Sequence, residues 1–307
     1  MTVSTGKATR MAAMRAGVID VGSNTVRLLA AKRGRRGLST ILNEKTHVGL
    51  GVDVERYGEL SESKCFRAAE LASRYAALAR SSGVHHLQVF VTAPGRQALN
   101  AGFLHRLLSE AVGAPVRQLS SEEEGRLAYA GAVAACRSDP DTVAVCDVGG
   151  GSTQLMVGTP KEPVWLRSLD IGSLRLTERF HHGDPPQGGE LSAAARVVHD
   201  AFSGVVAPVA RVALATGGTA RAMRRMVGRH LDERELLAAL WLLSVESSEA
   251  IAEKYRIPVE RARTLPAGAI ILLEARRRLG LPLEVARGGV REGVVLELLA
   301  ELAAEAA

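Results

Sequence analysis

The sequence predicts an α/β protein made of two related halves, and three observations predict it. A short loop is written almost twice, as Ile19-Asp20-Val21-Gly22-Ser23-Asn24-Thr25 and as Cys146-Asp147-Val148-Gly149-Gly150-Gly151-Ser152-Thr153. Each copy directly follows a short apolar run of strand character. After each copy the chain returns to strands alternating with helical patterns, the order of a layered α/β domain.

Taken in order, Ala16 to Val21 reads as a strand, Val26 to Lys32 as its returning partner and Ile41 to Val48 as a third. Ser61 opens a helix that carries Leu71, Tyr75 and Leu78 at helical spacing and stops near Gly83. His86 to Val91 is a strand, Phe103 to Val112 a helix, Val116 to Leu119 a strand and Glu122 to Cys136 a helix. The order then restarts with strands Thr142 to Val148, Gln154 to Val157 and Val164 to Leu169. Beyond the Pro- and Gly-rich loop at Gly183 to Gly189 the chain is largely helical, with short strands at Val212 to Ala215 and Leu283 to Ala286. Glu292 to Ala304 patterns as a packed helix that could return to the first half. The duplicated order implies an internal repeat of the sheet-forming unit, with both loops at equivalent strand ends.

The length of 307 residues and an apolar share of 47% suffice for two cores, and at 4% aromatics those cores must be built from Ala, Val and Leu. Cys65, Cys136 and Cys146 are odd in number and follow no disulfide framework, which fits reduced thiols and a cytoplasmic setting. No apolar stretch reaches the roughly 20 residues that span a bilayer. Met1 to Arg15 lacks the apolar centre of a signal peptide and reads as a disordered basic tail. A net charge of +6 favours an anionic partner.

Each duplicated loop holds the parts of a phosphate cradle: an aspartate delivered by a strand for the accompanying cation, glycine for a tight turn, and amide or hydroxyl donors after it. A plain flexible hairpin explains one such loop, but matched aspartates at two strand ends argue against it. In Ser120-Ser121-Glu122-Glu123-Glu124, Ser121 and Glu124 have capping-box spacing, while a carboxylate at the junction of two sheet units also suits a general base for water attack. Thr216-Gly217-Gly218-Thr219 follows a strand and opens a helix, as either a tight turn or an anion site. Arg221, Arg224, Arg225, Arg229 and His230 beyond it are a solvated face or a guide for a polyanion. Arg96 is a surface arginine or a residue reaching toward the same ligand. The pairs His85-His86 and His181-His182 lack partners at metal-ligand spacing and are structural or surface residues.

Together these residues resemble the exopolyphosphatase and guanosine pentaphosphate phosphohydrolase family, Ppx/GppA, of the actin, sugar kinase and Hsp70 superfamily. The resemblance runs from Gly17 to Leu299, through the two loops, Arg96-Gln97-Ala98-Leu99-Asn100, Glu123-Glu124-Gly125-Arg126-Leu127, Gly217-Gly218-Thr219 and Arg291-Glu292-Gly293-Val294. It implies an actin-like ATPase fold: two ribonuclease H-like domains, 16–123 and 124–291, with an interdomain cleft and the final helix, 292–307, packing back on the first. By motif position Glu124 resembles the catalytic base, with Glu123 its less favoured neighbour, and Asp147 the principal magnesium-associated carboxylate supported by Asp20 and Glu124. Ser23, Asn24, Thr25 and Arg96, and on the other side Gly149, Gly150, Gly151, Ser152, Gly217, Gly218 and Thr219, would hold phosphates.

The resemblance implies Mg²⁺-assisted hydrolysis of terminal phosphoanhydride bonds of inorganic polyphosphate, with Mn²⁺ as a substitute and K⁺ dependence left open. Removal of the 5′ γ-phosphate of guanosine pentaphosphate (pppGpp) uses the same chemistry. An actin-like kinase or switch, or a weakly catalytic polyphosphate sensor, is the more distant reading. A homodimer without nucleic-acid or membrane partners is expected. The chain ends near Ala307 without the C-terminal helical domain of longer members, which implies short polyphosphate chains as substrates.

Overall fold

The computed structural model describes residues 14–34, 37–136 and 140–305. The tail expected over 1–15 lies outside the described residues up to position 13, and Arg15 already opens a strand. The chain divides into two units, one reaching Ala135 and resuming at Val290, the other Cys136–Gly289.

In the first unit, strands β1 (Arg15–Val21), β2 (Thr25–Arg33), β3 (Leu38–His47), β4 (His86–Val91) and β5 (Val116–Gln118) form a sheet in the order β3-β2-β1-β4-β5. β1, β2 and β3 run antiparallel, whereas β4 and β5 continue parallel to β1. Its helices are α1 (Leu50–Tyr57), α2 (Glu62–Ser81), α3 (Ala93–Gln97), α4 (Ala101–Val112), α5 (Ser121–Val133) and α12 (Val290–Glu305). Strand alternation sorts the side chains between two faces. Ile19 and Val21 pack with Leu71, Tyr75, Leu104 and Leu108 of α2 and α4. Ala16 and Val18 pack with Leu127 of α5 and Val294, Val295 and Leu299 of α12.

That second face corrects the expected domain limits. The boundary falls after Ala135 and before Val290, not at 123/124 and 291/292, because α5 buries Leu127, Ala128 and Ala132 and shares a core with β1 and α12. The return of the last helix to the first unit is as expected.

The second unit carries β6 (Val143–Val148), β7 (Thr153–Gly158), β8 (Pro163–Leu169), β9 (Val212–Thr216), β10 (His230–Leu231) and β11 (Leu283–Val285), in the order β10-β11-β9-β6-β7-β8. β6, β7 and β8 repeat the antiparallel meander of β1, β2 and β3, and β9 and β11 lie parallel to β6 as β4 and β5 do to β1. Helices α6 (Ser173–Phe180), α7 (Gly188–Phe202), α8 (Gly217–Val227), α9 (Glu233–Val245), α10 (Ser248–Tyr255) and α11 (Val259–Leu279) complete it. The five strands of the first sheet are therefore repeated in the second, which adds β10 antiparallel to β11 at its edge. Each unit is a mixed sheet with flanking helices, so the chain has the expected α/β class built as two related halves.

Cys65 and Cys146 are buried free thiols, Cys136 is a half-buried one, and burial pushes the Cys65 thiol up to about 11. His181 is buried, which pulls its imidazole down to about 4, whereas His85, His86 and His182 are exposed. Among the described residues no helix is long and apolar enough to cross a membrane.

One buried carboxylate ties α1 to the start of α2. Asp53 accepts hydrogen bonds from Ser61 N–H at 3.0 Å and Ser61 Oγ at 2.6 Å, and pairs with Lys64. Burial pushes its carboxyl up, but the bonds from Lys64 and Ser61 outweigh burial and hold it below the ordinary value. A lowered native value stabilises the fold above the unfolded value, and that contribution is lost as pH falls through the native one. Asp53→Asn should cost about 2 kcal/mol at neutral pH, the size of charged hydrogen bonds. In urea melts the gap to wild type should close on acidification; a gap constant from pH 7 to pH 3 would contradict this account.

Candidate active site

In the first unit the duplicated loop is a tight hairpin. Val21 pairs with Val26, and Gly22 N–H donates to Thr25 O at 3.1 Å. Ser23, Asn24 and Thr25 are all buried. The head of α1 grips this loop, since Gly51 N–H donates to Ser23 O at 2.7 Å and Val48 and Gly49 N–H to Asn24 O at 3.0 and 3.1 Å. A trans peptide points its N–H opposite its carbonyl, so capture of Ser23 O turns the Asn24 amide away from α1. Arg27, given no role from the sequence, donates from Nε to Thr25 Oγ1 at 2.8 Å.

Asp20 is half-buried, and alternation from Ala16 and Val18 puts it on the sheet face that carries α5. Thr92, buried just past β4, lies by the same loop: a β-carbon at Gly22 would sit 3.6 Å from Thr92 Oγ1 and 3.7 Å from Asp20 Oδ1. Sequence reasoning passed over Thr92, although the carboxyl ends of parallel strands are where α/β sheets place ligands.

The two glutamates in the first turn of α5 are separated by geometry. α5 is capped by Ser120, not Ser121: Ser120 Oγ accepts from Glu123 N–H at 3.1 Å, and Glu123 Oε2 accepts from Ser120 N–H at 2.8 Å. Glu123 also pairs with Arg117 at 3.1 Å, and Arg117 with Glu297 of α12 at 2.8 Å. The Ser120 N–H, with Arg117 added, holds the Glu123 carboxyl below the ordinary range despite some burial. The capping role considered for Ser121 and Glu124 thus belongs to the preceding pair, which leaves Glu124 for other work.

Glu124 is only 8% exposed, and its Oε2 accepts from Arg96 Nη2 at 2.8 Å. Arg96 anchors its other arm on Leu119 O at 2.8 Å. Arg96 is accordingly not an exposed arginine. Its two terminal nitrogens are committed to Glu124 and to the backbone, so it fixes the carboxylate before it can serve a phosphate.

The second unit repeats the hairpin. Val148 pairs with Thr153, and Gly149 N–H donates to Ser152 O at 3.0 Å. The head of α6 grips this loop: Ser173 N–H donates to Gly149 O at 2.9 Å, and Leu174 and Arg175 N–H to Gly150 O at 3.0 Å. The amides of Gly150 and Gly151 therefore face away from α6, while Gly149 spends its own on closing the hairpin. Ser152 Oγ, buried, accepts from Gln154 Nε2 at 3.0 Å.

Asp147 is 6% exposed and lies against the Gly217-Gly218-Thr219 turn. Gly217 has φ +91°, and a β-carbon there would stand 2.6 Å from Asp147 Oδ1 and 2.8 Å from Val148 O. The carboxylate thus occupies a cradle that only glycine leaves open. Thr219 Oγ1, in the first turn of α8, is buried with no hydrogen-bond partner. Beside it is Arg261 of α11, whose Nη2 would be 2.6 Å from a β-carbon at Gly218. Arg261 makes no ion pair among the described residues; burial, then the charge of Arg221, pull its guanidinium below the ordinary value. Of the basic run after this turn, Arg229 pairs with Glu284 and Arg225 donates to Arg256 O, while Arg224 is exposed.

Among the described residues no three His, Cys, Asp or Glu side chains gather as a metal cage. Mg²⁺ takes one or two carboxylates and completes its shell with water and substrate phosphate oxygens, and single strand-end carboxylates are such a donor set. Asp147 in its glycine-lined cradle fits best. Asp20, at the matching strand end of the first unit, carries the same kind of hard oxygen donor, whereas Glu124 already spends Oε2 on Arg96.

The model of the Ppx/GppA phosphatase family matches residues 28–302. Among solved structures, the Ppx/GppA family member of Aquifex aeolicus is 28% identical, covers 95% of this chain and 98% of its own, and superposes with a TM-score of 0.79. An exopolyphosphatase from Cytophaga hutchinsonii is 21% identical over 94% of this chain and 98% of its own, with a TM-score of 0.83. At that identity the likeness shows the shared fold.

Proposed function

The chain belongs to the Ppx/GppA phosphatase family, a family of phosphoanhydride hydrolases, and from that premise we propose that it releases orthophosphate from the ends of inorganic polyphosphate, with Glu124 as general base. The observation that carries this reading is the buried Arg96–Glu124 pair, with Glu123 removed to the helix cap. A carboxylate held by an arginine that is itself anchored on the backbone can orient a water and take its proton as the water oxygen attacks the terminal phosphorus. The bridging oxygen leaves with the bond's electron pair, and Glu124 passes the proton to solvent or to the departing chain.

The chain's other groups would bind and orient. The Asn24, Gly150 and Gly151 amides, the Ser23, Thr25 and Thr219 hydroxyls and the Arg261 guanidinium are all phosphate-binding chemistry. Asp147 would hold Mg²⁺, which when bound neutralises charge on the transferring phosphoryl group.

The test is phosphate release, with and without Mg²⁺, from short polyphosphate, long polyphosphate, pppGpp and ATP. Release confined to polyphosphate supports the reading; release chiefly from pppGpp would move the function to the guanosine nucleotide, and none from any substrate would leave a sensor. Arg261→Met should raise KM for polyphosphate about tenfold with kcat little changed, as expected on losing charge-assisted phosphate contacts. An unchanged KM would remove Arg261 from the substrate contacts.

A further inference from the structure

Gln118 ends β5 and points its amide into the junction from which Arg96 projects. The two N–H groups of Gln118 Nε2 are shared among three backbone carbonyls, Val91, Thr92 and Leu119, each at 3.1 Å. Gln118 Oε1 lies 2.8 Å from His105 Nε2 of α4, so His105 donates from that nitrogen. The same oxygen presses on Gly95, the residue before Arg96: a β-carbon there would fall 1.9 Å from it. One amide thus joins the ends of β4 and β5 to α3 and α4.

We infer that Gln118 is a positioning residue for Arg96 and, through Arg96, for Glu124, an inference that rests on the catalytic reading above. α3 is a helix of five residues, too short to hold its own geometry. An arginine side chain carries about 2 kcal/mol of rotamer entropy, so its guanidinium stays in place only if its anchors do. Arg96 Nη1 is anchored on Leu119 O, the carbonyl that Gln118 also binds, and Arg96 Nη2 meets Glu124. Loss of the amide removes one of the bonds on the Leu119 carbonyl and the contact on Gly95 together, and both lead to one guanidinium. A catalytic carboxylate must be held to about 0.5 Å.

The discriminating experiment is a kinetic double-mutant cycle on phosphate release from short polyphosphate, with the folded fraction of every variant read by circular dichroism. Gln118→Leu should lower kcat about tenfold or more per folded molecule while KM changes less than about twofold, and should add nothing in an Arg96→Ala background. Gln118→Glu, which keeps the size but loses the donors, should behave alike, and Gly95→Ala should be less damaging when combined with Gln118→Leu than alone. A wild-type kcat in both Gln118 variants, the same loss with and without Arg96, or a loss that follows only the unfolded fraction would overturn the inference. Glu124→Gln run beside them separates the two claims: full turnover there removes the proposed base, whereas a dead Glu124→Gln with wild-type Gln118→Leu removes only the positioning role.

Discussion

Glu124→Gln should lose turnover by about a thousandfold while binding polyphosphate as tightly as wild type. Glutamine matches the shape of glutamate, and its amide oxygen can still accept from Arg96 Nη2, whose bond to Oε2 is 2.8 Å. What it cannot do is take a proton, and general-base catalysis contributes about 10²- to 10⁴-fold. Glu123→Gln is the control one residue away. It weakens the cap at Ser120 and the pair with Arg117, costing about 1 kcal/mol of stability with kcat preserved. Because the Glu123 carboxyl is held low, its contribution is full above the ordinary glutamate value and fades as pH falls below it. The decisive pair of measurements is single-turnover phosphate release and calorimetric binding; a Glu124→Gln enzyme that still turns over, or a Glu123→Gln enzyme that does not, would reverse the assignment.

Gly217→Ala should damage catalysis nearly as much as Asp147→Asn, although it leaves every carboxylate in place. A methyl at 217 would meet Asp147 Oδ1 at 2.6 Å and Val148 O at 2.8 Å, at a φ of +91° that disfavours any L side chain. Either the carboxylate swings out of its cradle or the turn opening α8 shifts, and both disturb the proposed magnesium and phosphate contacts. Magnesium titrations of phosphate release should move to higher concentration by about tenfold or more in both variants, in line with losses at metal-supporting positions. A Gly217→Ala enzyme with a wild-type magnesium midpoint would show that the cradle does not hold the ion.

What was legible in the sequence was local. The duplicated Asp-Val-Gly motif predicted both hairpins, and the order of apolar runs predicted both sheets, because strand alternation and tight turns leave marks within a few residues. The cap of α5 was read one residue late, since consecutive serines and glutamates at 120–124 satisfy the capping spacing in two frames and only burial separates them. Helices α1 and α3 escaped because they are short and carry glycine and proline near their starts. Arg261 and Gln118 were invisible for another reason. Arg261 lies 43 positions from Gly218, and Gln118 follows Gly95 by 23, so the sequence around neither residue records its partner.

The core shared by β1, α5 and α12 also sets an order of events during synthesis. The first sheet emerges early, yet one of its apolar faces needs Val294, Val295 and Leu299 as cover, and these follow the entire second unit in the chain. The second unit, Cys136–Gly289, draws its core from its own contiguous span. The later half can therefore reach its native state before the earlier half does, against the usual N-terminal-first order. Until then the first unit holds an apolar face covered by α5 alone, the kind of surface that molecular chaperones bind.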